Sequence, residues 1–159
     1  MTGNRPLKGP RNTMRKPFDP AAHQAFDKLG RDRVKHFFQD SYGIELQDNA
    51  DPYGVDLIAY RAGVKVGYVE VEVRESWNAD EFPFDSLHIP ERKQKLLDND
   101  LKTVLVSVNL HGTRAFICDA EVILHSPRME RGNKHVNSGE LFFLVDPSQV
   151  KQVLLRNGT

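Results

Sequence analysis

A chain of 159 residues with 39% apolar side chains has enough core for one domain; folding can bury roughly 70% of its unfolded surface without a disulfide or a structural metal. Its 22 basic residues balance 22 acidic ones, and no apolar stretch nears the roughly 18–20 residues that span a bilayer. Residues 1–6 lack the apolar core of a secretory signal, so neither a membrane nor a secretory role is expected.

The one cysteine, Cys118, sits in the apolar run 115–118 and is expected to be a reduced, buried thiol in a cytoplasmic protein. Neutral net charge hides an asymmetry. Residues 1–18 carry Arg5, Lys8, Arg11, Arg15 and Lys16 with no acid, which leaves 17 bases against 22 acids in the remainder. With three prolines and two glycines and no hydrophobic period, 1–18 reads as a flexible basic N-terminal arm, and 19–159 as a single domain. A basic arm on an acidic body suits contact with nucleic acid; a solvated terminus is the plain alternative.

Asp19-Pro20 pairs an N-cap with a proline at the first helical position. Ala22, Phe26, Leu29, Val34, Phe37 and Phe38 then recur at helical spacing, predicting a helix to about residue 40 that stops near Gly43, with Gly30 a weak point inside it. Short strands are predicted at 44–46 and 55–60, a hairpin turn at Ala62-Gly63 and a return strand over 66–73. Residues 75–88 read as loop. Pro90 opens a second predicted helix to about Asp98, followed by strands at 102–108 and 114–118 and a short helix within 119–125. The polar stretch 126–139 reads as a long loop, 141–145 as a strand and 148–156 as a closing helix capped near Asp146 or Ser148. The expected fold is α/β, a central mixed β-sheet flanked by helices, with helix 90–98 as a parallel crossover.

The acids of the hairpin carry the chemistry. Glu70 and Glu72 alternate with Val69, Val71 and Val73, so both leave one face of the strand. With the turn centred on Gly63, Asp56 stands opposite Glu70, and all three carboxylates share that face. Glutamates alone on such a strand are readily solvated. Asp56, however, lies among Val55, Leu57, Ile58 and Ala59, where an unpaired charge costs several kcal/mol. Three clustered carboxylates need a cation, and Mg²⁺ suits an all-oxygen site. On the second helix, Lys93 falls between the apolar positions Ile89, Leu96 and Leu97 and points inward, either to snorkel to the rim or to neutralise the acids.

An α-β-β-β-α-β order with Asp51-Pro-Tyr-Gly-Val-Asp56 before the hairpin and Glu70-Val-Glu72 on its return strand resembles the PD-(D/E)XK nuclease superfamily over about residues 19–118. The resemblance implies an αβββαβ core of restriction-endonuclease type and Mg²⁺-dependent hydrolysis of DNA phosphodiesters by an endonuclease, with Mn²⁺ as a substitute metal. It implies that Asp56 and Glu70 hold metal together with a main-chain carbonyl near residue 71, and that Glu72 binds a second metal or orients water. The family's third-strand lysine falls at Glu72, which departs from the pattern; Lys93 lies where a lysine supplied by the following helix would be. Asp27 or Asp32 would be the further acid that first helices of the family sometimes add.

Other signals are weaker. The six histidines lack ligand spacing and one cysteine forbids a Cys-rich zinc site. No phosphate-binding loop, dinucleotide fingerprint or nucleophile elbow occurs. Arg128, Arg131, Lys134 and His135 form a basic segment that suits phosphates or plain solvation. Trp77 reads as packing, with base stacking the alternative. The leading reading is thus a DNA endonuclease that pairs as a homodimer to cut both strands. Its alternatives are a catalytically inactive nuclease-fold protein that binds nucleic acid or a protein partner, and an assembly factor whose hairpin acids are solvated.

Overall fold

The computed structural model describes residues 20–133 and 136–155, and the basic arm expected over 1–18 lies outside them. Helix α1 (Pro20–Tyr42) opens on the predicted proline and closes where the glycine signal falls. Gly43 takes the left-handed conformation (φ 64°). Its N–H donates to the Gln39 carbonyl at 3.1 Å, the bond of an αL cap, and the Ile44 N–H donates to that of Phe38 at 3.2 Å, so the last carbonyls are satisfied.

Three antiparallel strands follow: β1 (Glu45–Asp48), β2 (Leu57–Arg61) and β3 (Val64–Arg74). Ala62 (φ 50°) and Gly63 (φ 79°) both sit in the left-handed region, the backbone a type I′ hairpin turn demands. Strand β2 begins at Leu57, opposite Val69, whereas β3 runs on to Arg74. The far end of β3 therefore lacks β2 along one edge, and the site grows there.

Strand β4 (Leu87–Pro90), a 3₁₀ turn (Glu91–Lys93) and helix α2 (Gln94–Leu97) carry the chain to β5 (Lys102–Asn109), which pairs parallel to β3 with Glu70 level with Leu105. Strand β6 (Arg114–Asp119) returns antiparallel, and Asp119 caps the short helix α3 (Ala120–Leu124) by accepting from the Glu121 N–H. Strands β7 (Arg128–Asn133) and β8 (Val136–Val145) form a hairpin, and after a 3₁₀ turn (Pro147–Gln149) strand β9 (Lys151–Leu154) pairs with β6. The result is a mixed six-stranded sheet, β1-β2-β3-β5-β6-β9, and a three-stranded antiparallel sheet, β4-β8-β7.

Two cores flank the larger sheet. On one face α1 lays Val34 and Phe38 over Leu57, Val69, Val106 and Val108. Gly30 is buried where α1 crosses β3; a Cβ there would stand 2.8 Å from Val73 Cγ2, so the residue that weakens the helix also lets it approach the sheet. On the other face Leu105, Phe116 and Cys118 meet Trp77, Leu87, Ile89, Phe143 and Val145, brought by the smaller sheet and the loop after β3. Burial pushes the Cys118 thiol up to about 12, so it is an inert core group.

Three expectations are corrected. The helix expected over 90–98 is confined to 91–97, because Ile89 is spent on β4, where it pairs with Phe143. The loop expected over 126–139 instead carries the β7–β8 pairing, and the exposure of 128–130 on an edge strand accounts for the polarity there. The closing helix expected over 148–156 is a single 3₁₀ turn followed by β9, whose Val153 turns inward across from Ala115. Among the described residues no helix is long and apolar enough to cross a membrane.

Candidate active site

The end of β3 left uncovered by β2 opens into a cleft of about 520 Å³ lined by Asp56, Val71 and Glu72, by Lys93 from the 3₁₀ turn, and by His23 and Asp27 of α1. Asp56 and Glu70 face each other as expected, through a bulge between Ala59 and Tyr60 that shifts the β2–β3 register by one, and they interlock. The Asp56 N–H donates to Glu70 Oε1 at 3.1 Å, and the Val71 N–H donates to Asp56 Oδ2 at 2.9 Å. Side chains thus take over the ladder where β2 ends, so both carboxylates are fixed by backbone rather than left to choose rotamers.

Glu70 is buried, with 5% of its surface exposed. Lys93 reaches it from the tight turn after β4, with Nζ 2.9 Å from Oε2. Burial pushes the Glu70 carboxyl above the ordinary carboxylate range and the nearby Asp56 charge adds to this; the Lys93 ammonium and the Asp56 N–H pull the other way without cancelling it. The inward direction read for Lys93 therefore has a definite target.

Glu72 leaves the same face but joins a different set. Its Oε2 lies 2.9 Å from Arg74 Nη2. The same guanidinium donates from Nε to the buried Ser107 hydroxyl and from Nη2 to the His88 carbonyl at 2.7 Å. Arg74 so ties β3 to β5 and to β4 of the second sheet, and Glu72 is its counter-charge at the cleft wall. Among the described residues no group of three His, Cys, Asp or Glu side chains is placed to hold a metal ion, so the expected trio of acids resolves into a pair plus an ion-paired third.

The pair still suits a divalent cation. Mg²⁺ is commonly held by one or two carboxylates and completes its shell with water and substrate phosphate. Every oxygen of Asp56 and Glu70 that accepts one hydrogen bond keeps a second lone pair. Val71 aims its N–H at Asp56, and the carbonyl of the same residue points to the same edge of the strand. Two carboxylates and one carbonyl, all hard oxygen donors, fit Mg²⁺.

Helix α1 contributes more than sequence reading assigned to it. His23, Asp27 and Arg31, one turn apart, line the cleft, and His23 bridges Asp27 and Glu75 at 3.3 Å on each side. Asp32, the other acid considered on this helix, pairs with Lys28 at 2.7 Å instead. The i, i+4, i+8 spacing of those three residues was visible, but a polar stripe on a helix looks the same whether it meets water or a cleft.

Of the basic segment, Arg128 is engaged: Nη1 donates to Glu91 Oε2 at 2.7 Å and the guanidinium lies 4.9 Å from the centre of the Phe143 ring. Arg131 falls opposite Glu140 in the β7–β8 register, while Lys134 and His135 lie outside the described residues. Trp77 is fully buried against Phe82 and Phe116, which makes it a core residue. No protein-family model, no curated protein and no solved structure matches this chain.

Proposed function

We propose that the chain is a Mg²⁺-dependent DNA endonuclease of the restriction-endonuclease-like type, with Asp56, Glu70 and Lys93 at its centre. The observation that carries this reading is the convergence of an aspartate, a buried glutamate and a lysine from three separate segments, with the aspartate and the lysine lining a cleft and the glutamate buried between them. The hairpin followed by a parallel crossover, which delivers these residues, supports the same reading.

Asp56 and Glu70, with the Val71 carbonyl, would hold Mg²⁺. An ion held there would lower the pKa of a bound water and offset charge on a phosphate. Lys93, anchored on Glu70, holds a positive charge beside that phosphate as negative charge builds on it. The two backbone hydrogen bonds through Asp56 keep both carboxylates in place through the reaction, so no reorganisation accompanies it. Glu72, held by Arg74, lines the same cleft. One chain offers one such centre, and cutting a duplex through both strands calls for a second copy related by a two-fold axis.

Cleavage of duplex, branched and single-stranded DNA with Mg²⁺, with Mn²⁺ and with chelator tests the assignment. The wild-type chain is expected to cut at least one form with metal and none with chelator. Asp56→Asn should bring cleavage to background, and Lys93→Met should lower it by roughly 10²–10³-fold, the usual cost of removing one transition-state donor. DNA binding without cleavage in any metal would assign the chain to the alternative class, a nuclease fold that binds without cutting. The ion-paired state of Glu72 is the feature that favours that alternative.

A further inference from the structure

The two sheets end in four outer strands, β1 and β9 on the larger and β4 and β7 on the smaller. Three of these edges suit no second copy of themselves. Strand β4 ends in Pro90, and its His88 carbonyl already accepts from Arg74. Strand β1 carries Glu45 and Asp48 with no base, and β9 carries Lys151 with no acid, so neither offers its own copy an opposite charge. Strand β7 differs: it runs Arg128-Met-Glu130, and all three residues are exposed.

The hydrogen-bond phase of β7 shows which of its backbone groups face outward. The Leu144 N–H donates to the Pro127 carbonyl at 2.7 Å, and these two residues stand opposite each other when the β7–β8 register is carried on by one. Bonded and non-bonded pairs alternate along an antiparallel ladder. Pro127 and Met129 are therefore bonded to β8, while Arg128 and Glu130 turn their N–H and C=O groups to the outer edge. Among the described residues nothing takes those groups.

An antiparallel copy can use them only in registers that bring outward residues face to face. Centring the pairing on Arg128 or on Glu130 opposes like charges across the two-fold axis. Centring it on Met129 sets Arg128 opposite the partner's Glu130, and the axis repeats the contact. Glu130 makes no ion pair among the described residues. Arg128 gives Nη1 to Glu91 at 2.7 Å and keeps the rest of its fork, with 45% of the side chain exposed. Met129, 43% exposed, meets its own copy on the axis, at a non-bonded pair where side chains come closest.

We infer that β7 is a homodimer interface, at which two copies join edge to edge about a two-fold axis at Met129 and fuse their smaller sheets into one. An axis perpendicular to the sheet keeps each face on its own side. Met129 shares a face with Phe142 and Pro90 in the register, and those two residues line the Asp56–Glu70–Lys93 cleft. Both clefts therefore open on one side of the joined sheet. The pairing does not rest on the endonuclease reading; on that reading it supplies the second copy that cutting both strands calls for.

The test is sedimentation of the full chain in metal-free buffer without DNA, with thermal melts to show that each variant folds. The wild type should dimerise in the micromolar range. Glu130→Arg should weaken the dimer roughly tenfold or more, because both charged pairs become repulsive. Glu130→Pro removes an N–H that β8 does not use, so it should abolish the dimer and keep the melting temperature. Oxidation of Met129→Cys with diamide should link two chains through a disulfide, since the Cα atoms of a non-bonded pair stand about 4.5 Å apart. Glu130→Cys, whose copies lie two residues out of step, should not link, and Cys118 is buried away from the reagent. Should either of the first two variants melt early, the cysteine pair decides alone. A chain that stays monomeric at millimolar concentration overturns the inference. So does a dimer whose affinity a folded Glu130 variant leaves unchanged, or one that Glu130→Cys links as readily as Met129→Cys. A chain that dimerises in this pattern and cuts no DNA supports the interface and counts against the endonuclease reading alone.

Discussion

The Lys93–Glu70 pair permits a test of site electrostatics that needs neither substrate nor metal. The two groups are 2.9 Å apart, with side chains 17% and 7% exposed. At an effective dielectric constant of about 20 their attraction is roughly 5–6 kcal/mol before desolvation is subtracted. Removing one member of such a pair costs about 3–5 kcal/mol, because the other charge stays buried. Lys93→Met keeps the length of the stem and removes the charge, so at neutral pH, with chelator present, the variant should melt roughly 6–15 °C below the wild type. The loss must depend on pH. The folded-state pKa of Glu70 is already raised above its ordinary value of 4.5, and without Lys93 it rises further. A raised acid binds its proton more tightly in the folded state, so the stability it contributes is fully present below the unfolded value and is lost as pH rises through the folded one. Below that window Glu70 is protonated in both proteins and the lysine has no charge to answer. The gap between the melting temperatures should therefore open from acid to neutral pH and then level off. A gap of the same size at every pH would show that Lys93 acts through packing and would refute the electrostatic account.

Other perturbations probe the same framework. Asp56→Asn can still accept from the Val71 N–H and removes one of two close negative charges; without metal it should be as stable as the wild type or more so. Added Mg²⁺ should raise the melting temperature of the wild type, through binding to the native state, and not that of the variant. Arg74→Ala strands Glu72, Ser107 and the His88 carbonyl at once and should cost about 3–5 kcal/mol in chemical denaturation, with Arg74→Lys recovering little because an ammonium lacks the forked donors. Gly30→Ala gains about 1 kcal/mol of helix propensity but drives a methyl into Val73. It should be destabilising overall by roughly 1–2 kcal/mol, with Val73→Ala in the same chain easing the clash.

Where a residue type has few conformational choices, the chain announced its structure. Gly43 and Ala62-Gly63 mark positive φ, and a helix end and a hairpin turn sit on them. That turn alone, with Arg61 level with Val64, would set Asp56 opposite Val69; a register shift between Ala59 and Tyr60 moves the pairing by one and brings Asp56 opposite Glu70, which centring the turn on Gly63 anticipated without the bulge that produces it. Lys93 was legible as a direction but not as a reach: the helix drawn for it is a 3₁₀ turn hung from β4, and β4 is legible only with its partner β8 in hand. Strands β7 and β9 were hidden for a related reason. They lie at sheet edges, and Arg128-Met-Glu-Arg-Gly-Asn133 has too few apolar residues to show a period of two. Glu72 illustrates the opposite failure. Its place on the face of Glu70 was read correctly, but Arg74, two residues on and on that same face, was the nearer charge and claimed it.

The charge balance at the end of β3 ties these observations together. Glu72 and Arg74 cancel each other, which leaves Asp56 and Glu70 against Lys93, one negative charge in excess within that cluster, while Asp27, Arg31 and Arg92 along the same cleft add one more positive charge than negative. Burial already disfavours the ionised form of Glu70. On the function proposed above, a divalent cation would answer the excess at the cluster and the arginines would face the phosphodiester that enters with it. β2 begins only at Leu57, so the Asp56 carboxylate rather than a strand partner takes the Val71 N–H, and the Val71 carbonyl on that edge of β3 lies beyond the β2 ladder and beside the acidic pair.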